Sequence, residues 1–336
     1  MLERPDDISD ERISDCLRAE YGLSVEELTF LPLGADFNTA VFRAVAQADT
    51  PYFVKLRRGN FREITVTLPK YLSDQGVAEI IPPLTARAGK LCADLDPFTL
   101  ILYPFIEGRD GYEVALSPAQ WATFGSALKR LHIVALPPAL AAQLPRESYS
   151  PRWRESLMRS LDLVEGEVWT EPVAAETATF MRAHRDEALD LIARAERYAG
   201  ELQAHPRPSV VCHADTHAAN LLIDGDGRLY IIDWDDPIWA PKERDLMFIG
   251  GVQGFTGTTP EEEERLFYRG YGPTQIDPVA LAYYRYARII EDLAIYCEQL
   301  LLTDEGGADR PQSLRYLMMN FDSGGTIDMA RRAEGM

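Results

Sequence analysis

The chain has 336 residues, with 34 Lys plus Arg against 53 Asp plus Glu and a formal net charge of −19 at pH 7. A surface this acidic repels phosphate backbones and anionic lipid, which argues against nucleic-acid and membrane-surface binding and favours a small cationic partner. With 46% hydrophobic and 26% charged residues the composition excludes a disordered chain, and the length suits two domains or lobes.

The amino terminus, MLERPDDISDER, is charged from its third residue and does not read as a signal peptide. A helix is expected over roughly residues 8–20. Short β-branched or aromatic runs follow at 28–33 (LTFLPL), 40–46 (AVFRAVA) and 51–56 (PYFVKL), separated by turn residues, and each reads as a strand. The first two are joined by Gly34–Thr39, a loop with one glycine. A helix over 62–74 stops before Gly76, and two further strands are expected at 84–92 and 98–103, the second ending at Tyr103-Pro104. Residues 1–104 therefore read as a small antiparallel-sheet lobe with one inserted helix.

Residues 105–111 form the expected hinge, and from 112 to 336 the pattern is mainly helical. Ser117-Pro118 is a helix start, with Ser at the cap and Pro at the first helical position. Trp121, Phe124, Leu128 and Leu131 then recur at helical spacing. Residues 134–148 read as a connection, and helices are expected at 151–165, 172–203 and 277–302. The fold class is α+β and bilobal, a small sheet lobe before a larger helical one. Four cysteines (Cys16, Cys92, Cys212, Cys297) stand apart with no C-x-x-C pair, so neither a zinc site nor a disulfide framework is expected. No apolar run approaches the ~18 residues of a membrane span. A soluble cytoplasmic protein is expected, with no protein partner inferred.

The chemistry is concentrated in residues 210–236, VVCHADTHAANLLIDGDGRLYIIDWDD. Leu221–Ile223 and Leu229–Ile232 flank a turn-rich link and should pair as a hairpin. With residue 224 opposite 229, Asn220 faces Asp233 at the open end, and Asp215 lies in the lead-in loop. Two oxygen ligands on a rigid hairpin suit Mg²⁺, which completes its shell with water and phosphates. A separate carboxylate nearby, Asp215, is placed to accept a hydroxyl proton during in-line attack. Other readings are an ordinary surface hairpin and a transition-metal site at His213, Asp215 and His217. Of these histidines, His213 is expected to brace the loop and His217 to pack beside the hairpin. In the first lobe, Lys55 lies inside an apolar strand, and Glu63 in the next helix is its expected partner, fixing the ammonium for nucleotide phosphates.

These residues resemble the aminoglycoside phosphotransferases, a bilobal family with a protein-kinase-like fold. The resemblance is carried by Lys55, Glu63, the run Tyr103-Pro104-Phe105-Ile106-Glu107-Gly108, His213-x-Asp215-x4-Asn220, Ile232-Asp233-Trp234, and residues 234–250 (WDDPIWAPKERDLMFIG). The last run is similar to the spectinomycin phosphotransferase branch in particular. Ala219 stands where many relatives have Gly. The resemblance implies Asp215 as catalytic base, Asn220 and Asp233 as Mg²⁺ ligands, and Lys55 with Glu63 on the nucleotide phosphates. It implies Tyr103, Pro104 and Ile106 around the base of ATP, with GTP as the other possible donor. Asp245 would hold the catalytic loop from below. Asp235, Asp236, Glu291 and Asp292 would face a cationic acceptor, spectinomycin or a related aminocyclitol. The alternatives are a kinase of a metabolite such as choline, a sugar or homoserine, and a catalytically silent nucleotide-binding module.

Overall fold

A computed structural model describes residues 4–34, 38–59, 61–250, 258–304 and 306–334. Asp10–Cys16 (α1) is capped by Ser9 and continued by a π-helical turn at Leu17–Tyr21. Its apolar side packs on a five-stranded antiparallel sheet built from β1 (Val25–Leu31), β2 (Thr39–Ala46), β3 (Thr50–Arg58), β4 (Ala93–Leu95) and β5 (Phe98–Pro104), in the order β1-β2-β3-β5-β4. Ile13, Leu17, Phe42, Val54, Leu56, Leu100 and Leu102 form this core. Because strand side chains alternate, burying Val54 and Leu56 turns Phe53, Lys55 and Tyr103 to the opposite face. There Phe53 pairs with Tyr103 across the β3–β5 ladder, ring centroids 6.4 Å apart. The helix α2 (Ile64–Asp74) lies between β3 and β4. Of the Gly34–Thr39 loop, residues 35–37 fall outside the described residues.

Residues 84–92, expected as a strand, are irregular. Leu84 N–H donates to Leu102 O, and the chain then folds into a turn through Gly89, at φ +80°, closed by Ala86 N to Lys90 O. The ladder with β5 begins at Ala93. The link between the lobes is also shorter than the expected hinge. Phe105–Glu107 leave the sheet, and Gly108–Asp110 (β6) already pair with a strand of the second lobe. Gly108 is needed there, because a Cβ would stand 2.6 Å from Ile223 O.

The second lobe contains α3 (Pro118–Ile133), α4 (Pro138–Ala141), α5 (Arg152–Gly166), α6 (Pro172–Ala183), α7 (Arg185–Ala204), β7 (Val210–Cys212), β8 (Leu221–Asp224), β9 (Leu229–Ile231), β10 (Ile238–Ala240), α8 (Glu243–Leu246), α9 (Pro260–Tyr271), α10 (Pro278–Leu302), α11 (Arg310–Met319) and α12 (Thr326–Ala333). The start of α3 is a full capping box between Ser117 and Gln120. The stretch expected as one helix over 172–203 divides at His184, whose Nδ1 donates to Phe180 O while its ring stacks on Phe180. The core of the lobe centres on α10, where Tyr284, Tyr286, Ile289, Ile290, Leu293 and Ala294 are buried. A second cluster, built on Trp121, Phe124, Leu128 and Phe267, supports the hairpin β8–β9 from below. No helix among the described residues is long and apolar enough to cross a membrane.

Candidate active site

The strand β7 delivers the chain into the loop 213–217, and Asp245 holds that loop in shape. Fully buried, its carboxylate accepts from His213 N (3.0 Å), Ala214 N (2.6 Å) and His132 Nε2 (2.9 Å). His132 is fixed in turn by the Tyr271 hydroxyl, 2.7 Å from its Nδ1. These bonds support Ala214 in the left-handed region, at φ +76°, a conformation that costs free energy in a non-glycine residue and tends to cluster at functional sites. His213 adds a second tie. Its Nδ1 accepts from Asp215 N at 3.3 Å, and its Nε2 donates to Ile232 O at 3.0 Å. Both ring nitrogens are thereby committed, so His213, Asp215 and His217 do not form a ligand set.

Asp215 is the most closely held carboxylate of this loop. Oδ1 accepts from Arg288 Nη1 at 2.7 Å; Oδ2 lies 3.2 Å from Asn220 Nδ2 and 3.3 Å from His217 Nε2. Burial alone would push its carboxyl up, but the His217 hydrogen bond and the Arg288 guanidinium outweigh it and hold the group well below the usual carboxylate range. It is therefore ionised at neutral pH. His217 has its Nδ1 on Ala219 N and its ring stacked on Tyr112, centroids 6.3 Å apart.

The hairpin forms one residue out of the expected register. Leu221 pairs with Ile231 and Ile223 with Leu229, so Asn220 stands opposite Ile232, not Asp233. The cause is the turn. Asp224 Oδ1 accepts from Asp226 N and Arg228 N, and Gly227 at φ +80° closes a three-residue loop. Asp233 follows the end of β9 in the left-handed region, at φ +62°. Asn220 donates through Nδ2 to Asp215 O (2.8 Å) as well, and among the described residues no donor meets its Oδ1. An amide oxygen and an exposed carboxylate are a hard-oxygen pair that fits Mg²⁺.

Lys55 reaches this second-lobe loop from β3. Its Nζ lies 3.0 Å from Asp233 Oδ1 and 2.8 Å from Asp235 Oδ1. Burial would lower its pKa, but the two carboxylates raise it above the ordinary lysine value, so it stays charged. The expected partner is not used. Glu63 is exposed at the start of α2, and its side chain makes no ion pair with Lys55. Asp235 and Asp236 also differ from expectation: they turn to first-lobe cations. Asp235 Oδ2 accepts from Arg57 Nη1 at 3.1 Å, and Asp236 Oδ1 from Arg62 Nη2 at 2.8 Å. Glu291 and Asp292 do lie beside Asp215, across Arg288, whose Nε is 3.1 Å from Asp292 Oδ1. Tyr103 on β5 lies on the same sheet face as Lys55 of β3, Pro104 ends β5, and Ile106 lies in the three-residue connector.

Sequence reasoning missed Arg57, Arg62 and Arg288. The signal for Arg288 was present: an arginine with acids three and four residues on, inside a largely apolar helix. The pattern did not say which loop it meets.

Residues 27–284 match the phosphotransferase enzyme family. The chain belongs to that family. This phosphotransferase is similar to spectinomycin phosphotransferase APH(9)-Ia in complex with ADP and spectinomycin, at 34% identity and a TM-score of 0.90 over 98% of this chain and 100% of that one. It is similar to the AMP-bound complex of the same enzyme at 32% identity and a TM-score of 0.85, over 96% and 98% of the two chains. Protein StrN of Streptomyces griseus is 25% identical over 252 residues, 73% of this phosphotransferase and 74% of StrN. Choline kinase LicA from Streptococcus pneumoniae shares the fold, with a TM-score of 0.56 and 15% identity over 92% of this chain and 97% of that one. The bilobal kinase-like fold and the assignment as a phosphotransferase acting on a hydroxyl group therefore stand.

Proposed function

We propose that this phosphotransferase moves the γ-phosphoryl group of ATP to a hydroxyl of spectinomycin or a closely related aminocyclitol, in the cytoplasm. The observation that carries the reading is the constellation of Asp215, Asn220, Asp233 and Lys55 within a chain 34% identical, over 98% of its length, to an enzyme seen with ADP and spectinomycin. In this reading the acceptor oxygen forms a bond to the γ-phosphorus as the bond to the β-phosphate oxygen breaks. ADP leaves, and the hydroxyl proton passes to Asp215. Lys55 holds the nucleotide phosphates, with Tyr103, Pro104 and Ile106 around the base. Asn220 Oδ1 and Asp233 would hold Mg²⁺, which when bound neutralises phosphate charge. Glu291 and Asp292 supply negative charge beside the acceptor.

ADP release measured with ATP, Mg²⁺ and a panel of spectinomycin, aminoglycosides and choline tests this. The highest kcat/KM is expected for spectinomycin or another aminocyclitol. A higher value for choline would assign the site to a metabolite, and ATP binding without turnover of any acceptor would make the chain a binding module.

A further inference from the structure

We propose that Arg288 is a positioning residue for phosphoryl transfer: it fixes the Asp215 carboxylate from α10 and leaves one lone pair of Oδ1 open to the acceptor hydroxyl. The inference rests on the reading of Asp215 as general base. Arg288 and Asp215 are 73 residues apart in sequence, yet Nη1 stands 2.7 Å from Oδ1. The arginine side chain is only 17% exposed. Asp292, one helical turn on, forms an ion pair with it, Oδ1 standing 3.1 Å from Nε without hydrogen-bond geometry, and the guanidinium lies over the Phe248 ring, 5.8 Å from its centroid. A long side chain enclosed on these sides has lost its rotamer freedom in the folded protein, so it orients a carboxylate at little further entropic cost.

Lone-pair counting locates the open position. An ionised carboxylate offers about four acceptor sites. Oδ2 has two donors beside it, His217 Nε2 at 3.3 Å and Asn220 Nδ2 at 3.2 Å. Among the described residues Oδ1 has one, Arg288. The remaining site belongs to the oxygen that faces α10, the helix that also carries Glu291 and Asp292. An acceptor hydroxyl bound there is presented between the base and those acids. Arg288 also serves as common counter-ion to Asp215 and Asp292, so its loss would leave two partly buried like charges to repel and turn Asp215 from its aligned rotamer.

Two other roles fit the same contacts and differ in kinetics. Arg288 could stand in for an acceptor ammonium that displaces it, or it could serve folding alone. The test is steady-state kinetics with ATP, Mg²⁺ and spectinomycin for the wild type, Arg288→Ala, Arg288→Lys and Asp215→Asn, with and without added guanidinium ion. Arg288→Ala should lower kcat about 100-fold with the KM for ATP within about 2-fold of wild type. Arg288→Lys should recover part of that loss, and guanidinium should raise kcat in Arg288→Ala but not in Asp215→Asn. Unchanged kcat with a lower acceptor KM in Arg288→Ala would overturn the inference in favour of a stand-in. Joint loss of ATP binding and thermal stability in both Arg288 variants, without rescue, would overturn it in favour of folding. An inert wild type or a fully active Asp215→Asn would overturn the underlying reading, and the inference with it.

Discussion

Lys55 Nζ lies 2.8 Å from Asp235 Oδ1, and Arg57 Nη1 holds the other oxygen of Asp235 at 3.1 Å. A carboxylate of the second lobe thus takes the place expected of Glu63 in the first. Charge-assisted pairs between partly buried groups are stronger than exposed ones. Asp235→Asn should therefore raise the KM for ATP by about 5- to 10-fold with a smaller effect on kcat, while Glu63→Gln leaves both within about 2-fold. Steady-state kinetics on the two variants decides this, and the reverse ranking would restore Glu63 as the partner.

Asp245 serves the same site without facing it. Removing its carboxylate strips the acceptor from two loop N–H groups and from His132, all buried. Asp245→Ala should cost about 3–5 kcal/mol, the range for breaking a buried charged network by deleting one partner. Urea denaturation measures it, and a loss below about 1 kcal/mol would show that the loop keeps its shape by other means.

The stability of α10 should depend on pH through Asp277. This residue caps the helix at Ala280 N (2.9 Å) and accepts from Arg207 Nε (2.6 Å). Burial works against its charge, but the cap and Arg207 prevail and place its carboxyl below the ordinary value of 3.8. The ionised form is thus favoured in the folded state. Its contribution is full above the ordinary value and is lost as pH falls through the lower folded one. Asp277→Ala should cost about 1–2 kcal/mol near pH 7, and the gap to wild type should narrow toward about pH 3. Urea midpoints at the two pH values test the sign; a wider gap in acid would contradict it.

The acceptor charges are expected to act unequally. Asp236 is paired with Arg62 and its side chain is 78% exposed, whereas Glu291 lies near Arg244 and Arg288 beside Asp215. Glu291→Gln should raise the acceptor KM several-fold, with little change for Asp236→Asn. Added salt should raise acceptor KM as well, since the approach of a cation to a chain of net charge −19 is screened over about 10 Å at 0.1 M. A salt-independent acceptor KM, unaffected by Glu291→Gln, would remove these acids from recognition.

Local chemistry explains what was legible before the structure. The strands β2, β3 and β5, the capped start of α3 and the β8–β9 hairpin follow from alternation, capping and turn residues within a few positions of one another. Lys55 was visible because a lysine in an apolar strand needs a partner. Which carboxylate supplies it was not, because Glu63 and Asp235 reach it through different lobes. The hairpin register moved by one residue because Asp224 shortened the turn, a side-chain effect that strand periodicity does not encode. Arg288 was hidden for a related reason: its pairing with Asp215 depends on how α10 packs against the loop.

Under the proposed function, a hydroxyl of spectinomycin receives the γ-phosphoryl group. The most direct measurement is ³¹P NMR of the wild-type protein incubated with ATP, Mg²⁺ and spectinomycin. A single new phosphomonoester resonance, coupled to an acceptor proton and growing in step with ADP, is expected. ADP accompanied only by inorganic phosphate, or no consumption of ATP, would contradict it.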